Sequence, residues 1–330
     1  MGNEILKVES LNTYCMSSVG EEPLKILDDV NLVVEENDIL GLVGETGSGK
    51  TVLINSVGRI LRNPLRSEAR HISFSTANRK IDLKDYFHDD MKKIWGKGIG
   101  FIPTNARERL NPVLTVGQQF ANIIQTHTKL TQKEAREETI DYFRQVQMPA
   151  PERTVDSLPQ ALSGGMAQRV IISIALFLSP RLLLADEPTM GLDVTIQKQV
   201  LDIFHELIKK MNSSVLLATR DMGIVANYCN MVAVLCSGQL VEFTSKRGFF
   251  KDAKHPYSKY LLEAAFTLHG SAVEDEMEAS KSKGEIELKT QKGCRFVTRC
   301  GETIEACSLV DPPEVIVGPN HFVRCHKWDG

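Results

Sequence analysis

With 330 residues, 42% hydrophobic and 25% charged, the chain has the make-up of a globular protein, enough for one large domain with an appendage or for two modest ones. Its formal net charge of -3 gives no electrostatic basis for binding nucleic acid or an anionic membrane. No run approaches the roughly 18 apolar residues of a spanning helix, and the start, MGNEILKVESL, lacks a basic stretch followed by an apolar one, so no membrane span and no signal peptide are expected and a cytoplasmic location is.

In chain order, ILKVESL and NLVVEEND read as strands, the second breaking at Glu35-Glu36-Asn37-Asp38. ILGLVGETGSGKTVLINSVGRIL reads as a buried strand, a glycine-rich turn and a helix. Residues 62 to 98 are polar and mixed, with no clear periodicity. TQKEAREETIDYFRQVQM predicts a helix capped by Thr131 with Glu134 three residues on, and Ile140, Phe143 and Val146 share one of its faces. SPRLLLADEPT and SVLLAT are fully apolar strands, and MVAVLCSGQLVEF predicts a hairpin turning at Ser237-Gly238. Strands alternating with helices give an α/β fold with a parallel core sheet. After HPYSKYLLEAAF the pattern stops, and a polar, aromatic-poor linker is expected over 267–291, followed by a cysteine-rich extension over 292–330.

Gly44-Glu45-Thr46-Gly47-Ser48-Gly49-Lys50-Thr51 matches the full phosphate-loop pattern G-x-x-x-x-G-K-[ST], after an apolar strand and at the start of a helix. Glycines there let backbone N–H groups converge on phosphates, and the helix N-terminus adds favourable dipole charge. Lys50 is expected to reach the β- and γ-phosphates of ATP, and Thr51 to hold Mg²⁺. Asp186 and Glu187 end an apolar strand downstream, where Asp186 would hold Mg²⁺ through water and Glu187 would polarise the attacking water.

Leu162-Ser163-Gly164-Gly165-Met166-Ala167-Gln168 precedes the apolar helix RVIISIALFL, and a serine with two glycines at a helix N-terminus makes a second phosphate cradle. LSGG ahead of ADEPT, with GLD soon after, resembles the signature combination of ABC-type ATPases. The resemblance implies a P-loop ATPase domain over residues 1–266, with an antiparallel β subdomain and a helical subdomain over about 100–178. It also implies a head-to-tail sandwich of two ATPase subunits. In it Ser163, Gly164, Gly165 and Gln168 close over the nucleotide of the partner, and Asp193 in MGLD communicates across the interface.

HPYSKYLLEAA, ERLNPVLTVGQQ and the tail GCRFVTRCGETIEACSLVDPPEVIVGPNHFVRCHKW resemble segments of the ATPase subunits of oligopeptide/dipeptide ABC importers. That resemblance implies two transmembrane permease subunits, an indirect extracytoplasmic solute-binding protein, no nucleic acid, and a peripheral place on the cytoplasmic face of the membrane. Peptides, nickel or metal chelates are the solutes of that group, and no residue here separates them. A soluble non-transport ABC ATPase and a regulatory nucleotide-binding module are the alternatives.

Of seven cysteines, Cys294, Cys300, Cys307 and Cys325 crowd the tail with the spacing C-x5-C-x6-C-x17-C, which lacks the close pairs usual in zinc fingers. Four thiolates can hold Zn²⁺ or an iron–sulfur cluster, or stand as structural thiols, with His321 and His326 as substitute ligands. The family resemblance points to [4Fe–4S].

Against the family pattern the chain has three departures. Thr104 stands where the Q-loop glutamine is expected, with Asn105 beside it. Arg220 stands where a switch histidine is usual. Cys15, next to Tyr14, falls where an aromatic ring would stack on adenine. Intact binding groups with altered water-positioning groups imply slow hydrolysis at this chain's own loop, and a heterodimer with a second ATPase that keeps glutamine and histidine.

Overall fold

The computed structural model describes residues 3–16, 22–267 and 292–329. Strands β1 (Glu4–Cys15), β2 (Leu24–Glu35) and β3 (Ile39–Val43) lead into helix α1 (Lys50–Val57). Strands β4 (Leu65–Glu68), β5 (His71–Ser75) and β6 (Lys80–Asp82) follow, then α2 (His88–Met91) and β7 (Ile99–Ile102). Helices α3 (Ala106–Arg109), α4 (Val116–His127), α5 (Gln132–Gln145), α6 (Pro151–Thr154) and α7 (Gly164–Leu176) come before β8 (Leu182–Asp186) and α8 (Val194–Met211). Then come β9 (Ser214–Thr219), α9 (Met222–Tyr228), β10 (Met231–Cys236), β11 (Gln239–Ser245), α10 (Lys246–Asp252) and α11 (Pro256–Thr267). The tail adds β12 (Glu314–Gly318) and β13 (His321–Arg324). The expected linker lies outside the described residues, Thr267 apart.

The chain divides into two compact units, one made of Met1–Met91 with Val215–Gly330, the other of Lys92–Ser214. The first unit has two sheets. One is antiparallel, in the order β2-β1-β5-β6 with β4 also on β1. The stretch 62–98 showed no periodicity in sequence because its strands are only three to five residues long, and β4 and β5 depend on pairing with the distant β1.

The second sheet of this unit runs β12-β13-β11-β10-β3-β9, parallel across β10, β3 and β9 and antiparallel outward from β10. Every residue of β3 and β9 is buried, as continuous apolar runs in a parallel core require. The β10–β11 hairpin turns where the sequence places it. Ser237 at φ 43 and Gly238 at φ 85 are both left-handed, the requirement of a tight two-residue turn. A Cβ on Gly238 would stand 2.0 Å from the carbonyl oxygen of Ile26, so glycine alone fits. In the tail, β13 pairs with β11 at Glu242↔Val323 and Phe243↔Phe322, and the two phenyl rings stack at 5.7 Å. The tail thus extends the sheet that carries the phosphate loop.

In the second unit β7 and β8 are parallel, from Ile99↔Leu182 to Ile102↔Ala185. Thr131 and Glu134 form the capping box that starts α5, as expected, and Thr115 with Gln118 forms another at α4. Phe120, Tyr142, Phe143 and Phe177 pack edge-on or tilted around the α4–α5 contact, with centroids 5.2 to 6.0 Å apart. Among the described residues no helix is long and apolar enough to cross a membrane.

Candidate nucleotide-binding site

The loop Gly44–Thr51 joins the carboxyl end of β3 to the start of α1. A Cβ at Gly44 would lie 2.3 Å from the Leu235 carbonyl oxygen and 2.7 Å from Ser48 Oγ, so the chain passes there only as glycine. Gly47 and Gly49 are left-handed, at φ 81 and 106, and Thr46 and Gly47 are exposed. The Lys50 ammonium, 7% exposed, donates to the carbonyls of Gly44 at 2.7 Å and Glu45 at 2.9 Å. It thereby curls the loop around a cation. Thr51 is exposed in the first turn of α1, and buried Ser48 has no partner for its hydroxyl among the described residues. Behind the loop, the Gly238 N–H donates to the Ser48 carbonyl at 2.9 Å.

Arg220 belongs to the same unit. Val43 and Thr219 are register partners on parallel β3 and β9, so Gly44 and Arg220 leave the sheet side by side. Arg220 is exposed there, and Asp221 next to it caps α9 through the N–H groups of Gly223 and Ile224. Cys15 ends β1, half-buried beside Tyr14, whose ring lies 6.0 Å from the Lys25 ammonium.

The second unit carries the carboxylates. Asp186 ends β8 and is 5% exposed, and Glu187 follows at φ 45, a strained backbone for a non-glycine residue. Since Ile102 pairs with Ala185, Pro103 and Thr104 emerge beside Asp186 and Glu187. Thr104 is half-buried, and Asn105 donates to Glu108 at 3.3 Å, so its side chain is turned along its own short helix.

Ser163 caps α7, accepting from the Met166 N–H at 3.2 Å, and is exposed together with Gly164. A Cβ on Gly165 would stand 2.5 Å from Ile196 Cγ2 on α8, which fixes a glycine at this packing contact. Gln168 is buried, with its Nε2 unpartnered among the described residues. Asp193 caps α8, accepting from the Ile196 N–H at 3.0 Å, and is exposed. The structure thus groups the phosphate loop with Arg220 in one unit, and Thr104, Asp186, Glu187, the signature serine and Asp193 in the other.

All four tail cysteines line one cavity of ≈ 240 Å³, together with His255 and His326. Burial and the neighbouring thiols push Cys294 up to about 11. Among the described residues no three His, Cys, Asp or Glu side chains converge closely enough to hold a metal ion. The four thiols line the cavity without forming a ready donor set for any metal ion. His321 is not a substitute ligand, because its Nε2 meets the carboxylate of buried Glu242 at 2.8 Å. His326 Nε2 is likewise engaged, 2.9 Å from the Val310 carbonyl.

The sequence reading missed His255. Its Nδ1 accepts the Tyr257 N–H at 3.0 Å, so Nε2 carries the proton of the neutral ring. Burial holds the ring neutral, its pKa lowered to about 3 against the opposing effect of a hydrogen bond to the Arg324 backbone, and the ring lines the cavity wall. It missed Arg299 and Tyr257 as well. Both bind Glu45 of the phosphate loop, and the only sequence signal is that they sit in the HPY segment and next to Cys300.

Comparison with known proteins agrees with this geometry. A family model described as ABC transporter matches residues 27–190, and one described as oligopeptide/dipeptide transporter, C-terminal region, matches residues 241–307. The chain is 34% identical to the oligopeptide transport ATP-binding protein AppD of Bacillus subtilis, covering 98% of this chain and 97% of that one. It is 33% identical to the dipeptide transport ATP-binding protein DppD of Haemophilus influenzae, covering 92% and 90%. Among solved structures it resembles the ATP-binding cassette MJ0796 bound to ADP and Pi, at TM-score 0.63 and 25% identity over 74% of this chain and 99% of that one.

Proposed function

The chain belongs to the ABC transporter family of ATP-binding proteins, in the group that carries the oligopeptide/dipeptide transporter C-terminal region, and from that premise we propose that it is the ATP-binding subunit of a membrane importer for peptides or related small solutes. The observation that carries this is the intact phosphate loop on β3, in a chain whose likeness to peptide-transport ATP-binding proteins runs from end to end. The subunit sits peripherally on two permease subunits, with an extracytoplasmic solute-binding protein upstream. In a strain that needs peptides for growth, deleting this chain should stop peptide uptake. The intact chain should restore it, and Lys50→Ala should not.

In this reading Lys50 exchanges its loop carbonyls for phosphate oxygens, and backbone N–H groups at the N-terminus of α1 serve the same anion. Thr51 and Asp186 are the residues that would hold Mg²⁺, which supplies charge neutralisation of the phosphates when bound. Glu187 orients and polarises the attacking water. Arg220 supplies a fixed positive charge at the edge of β9, where a neutral or protonated imidazole would also accept and donate protons. Thr104 is too short to reach as a glutamine does. The chain's own site is therefore slow and mainly holds nucleotide, while Ser163, Gly164, Gly165, Gln168 and Asp193 serve the productive site of a second, different ATPase.

We propose an iron–sulfur cluster as the group that the tail cysteines take up. What supports it is that all four thiols line one cavity, together with the likeness to the oligopeptide/dipeptide transporter C-terminal region. Cys294, Cys300, Cys307 and Cys325 would hold it, and the cross-link would fold a short tail with little core of its own.

A further inference from the structure

Glu45 is the second residue of the phosphate loop, and residues from the C-terminal part of the chain hold it twice. Arg299 donates to its carboxylate with both arms, Nη1 to Oε1 at 3.0 Å and Nη2 to Oε2 at 2.7 Å. The hydroxyl of Tyr257 accepts its backbone N–H at 2.9 Å. Its carbonyl is one of the two that Lys50 holds, so every polar group of Glu45 is engaged.

We propose that Arg299 is a positioning residue for nucleotide binding, acting through Glu45 to neutralise and fix the phosphate loop. A lone carboxylate in this loop would oppose the arrival of a triphosphate, whose negative charge the loop exists to accept. The two-pronged ion pair cancels that charge while leaving the loop's N–H groups and Lys50 to the phosphates. The pair also fixes where Glu45 sits, and a shift of about 1 Å in a positioned group can cost up to about a hundredfold in rate.

Arg299 is itself well located. Its guanidinium lies 5.3 Å from the Tyr260 ring centroid and 5.2 Å from that of Phe296, so aromatic faces aim the planar fork. Phe296 packs against Tyr257 at 5.2 Å, which joins the two holds on Glu45 into one assembly. Arg295, 7% exposed, pairs with Asp28 of β2 at 2.6 Å and anchors the same segment to the first sheet. Cys300 follows Arg299 directly and lines the tail cavity, so the aim of the fork depends on the folded tail. The inference rests on the loop's binding ATP.

The test is the affinity of the full-length chain for the magnesium complex of a fluorescent ATP analogue. It is measured for the wild type, Arg299→Gln, Glu45→Gln, the double variant and Arg299→Lys. Arg299→Gln should weaken binding about tenfold, since a half-exposed pair is partly screened but its loss leaves an unpaired carboxylate at an anion site. The double variant should recover most of that loss, because no lone carboxylate remains, and Arg299→Lys should stay within about threefold of wild type. A merely structural role for Arg299 predicts a double variant at least as weak as Arg299→Gln, and that result overturns the inference. So does an Arg299→Gln chain that binds like the wild type. If Arg299→Gln fails to fold, the comparison of Glu45→Gln with the double variant decides: equal affinities support the proposal, and a large further loss overturns it. A wild-type chain that does not bind the analogue contradicts the nucleotide reading itself.

Discussion

Gly44 and Arg220 emerge side by side from the sheet, because Val43 and Thr219 are register partners on two parallel strands. A permanent cation thus stands next to the first glycine of the phosphate loop, at a position where it can grip phosphate but cannot give or take a proton.

Restoring proton-transfer and water-positioning capacity should therefore speed the chain's own site. Arg220→His combined with Thr104→Gln is expected to raise ATP hydrolysis in the assembled complex by about tenfold to a hundredfold, the scale of one or two transition-state donors. Single-turnover hydrolysis with labelled ATP measures it.

The α7–α8 contact is tight at one atom. A methyl group at Gly165 would meet Ile196 Cγ2 at 2.5 Å. Gly165→Ala is expected to destabilise the chain by about 1–3 kcal/mol, as overpacking does, and to tilt the signature serine. Ile196→Ala in the same chain should return most of the lost stability, as read by thermal unfolding.

Much of this was legible in the sequence, where local chemistry decides the structure. The phosphate loop, the Thr131–Glu134 cap and the Ser237–Gly238 turn each lie within a few residues and use residue types that permit one geometry. Strands β4 and β5 and the pairing of β13 with β11 were not legible, since their partners are far off in sequence. The engagement of His321 by Glu242 and the hold of Arg299 on Glu45 span 79 and 254 residues, and no pattern within the tail announces either.

Asp28 ties the tail to β2. Burial works against its ionisation, but hydrogen bonds from Lys25, Arg295 and Gln239 outweigh that and hold the carboxyl below its ordinary 3.8. With a folded value below the unfolded one, its stabilising contribution is fully present above about pH 4 and is lost as the pH falls through the lowered value. Asp28→Asn should cost about 2 kcal/mol near neutral pH, and the gap from wild type should close at lower pH. Urea unfolding at several pH values checks both.

The cysteine cavity makes a prediction about colour and metal. Protein purified without oxygen should be brown and hold about four iron atoms per chain. Colourless protein, or protein with stoichiometric zinc, contradicts the cluster.

The central claim is a slow, nucleotide-holding site paired with a productive one on a different ATPase. It is tested most directly by transport-coupled ATP hydrolysis in the purified complex carrying Glu187→Gln, with the subunit copy number determined by native mass spectrometry. The account predicts one copy of this chain beside one copy of a second ATPase. It predicts a modest loss with Glu187→Gln, and near-complete loss with either Ser163→Arg here or the matching carboxylate change in the partner. Two copies of this chain with no second ATPase, or complete loss of turnover with Glu187→Gln alone, would contradict it and make Arg220 a working replacement for histidine.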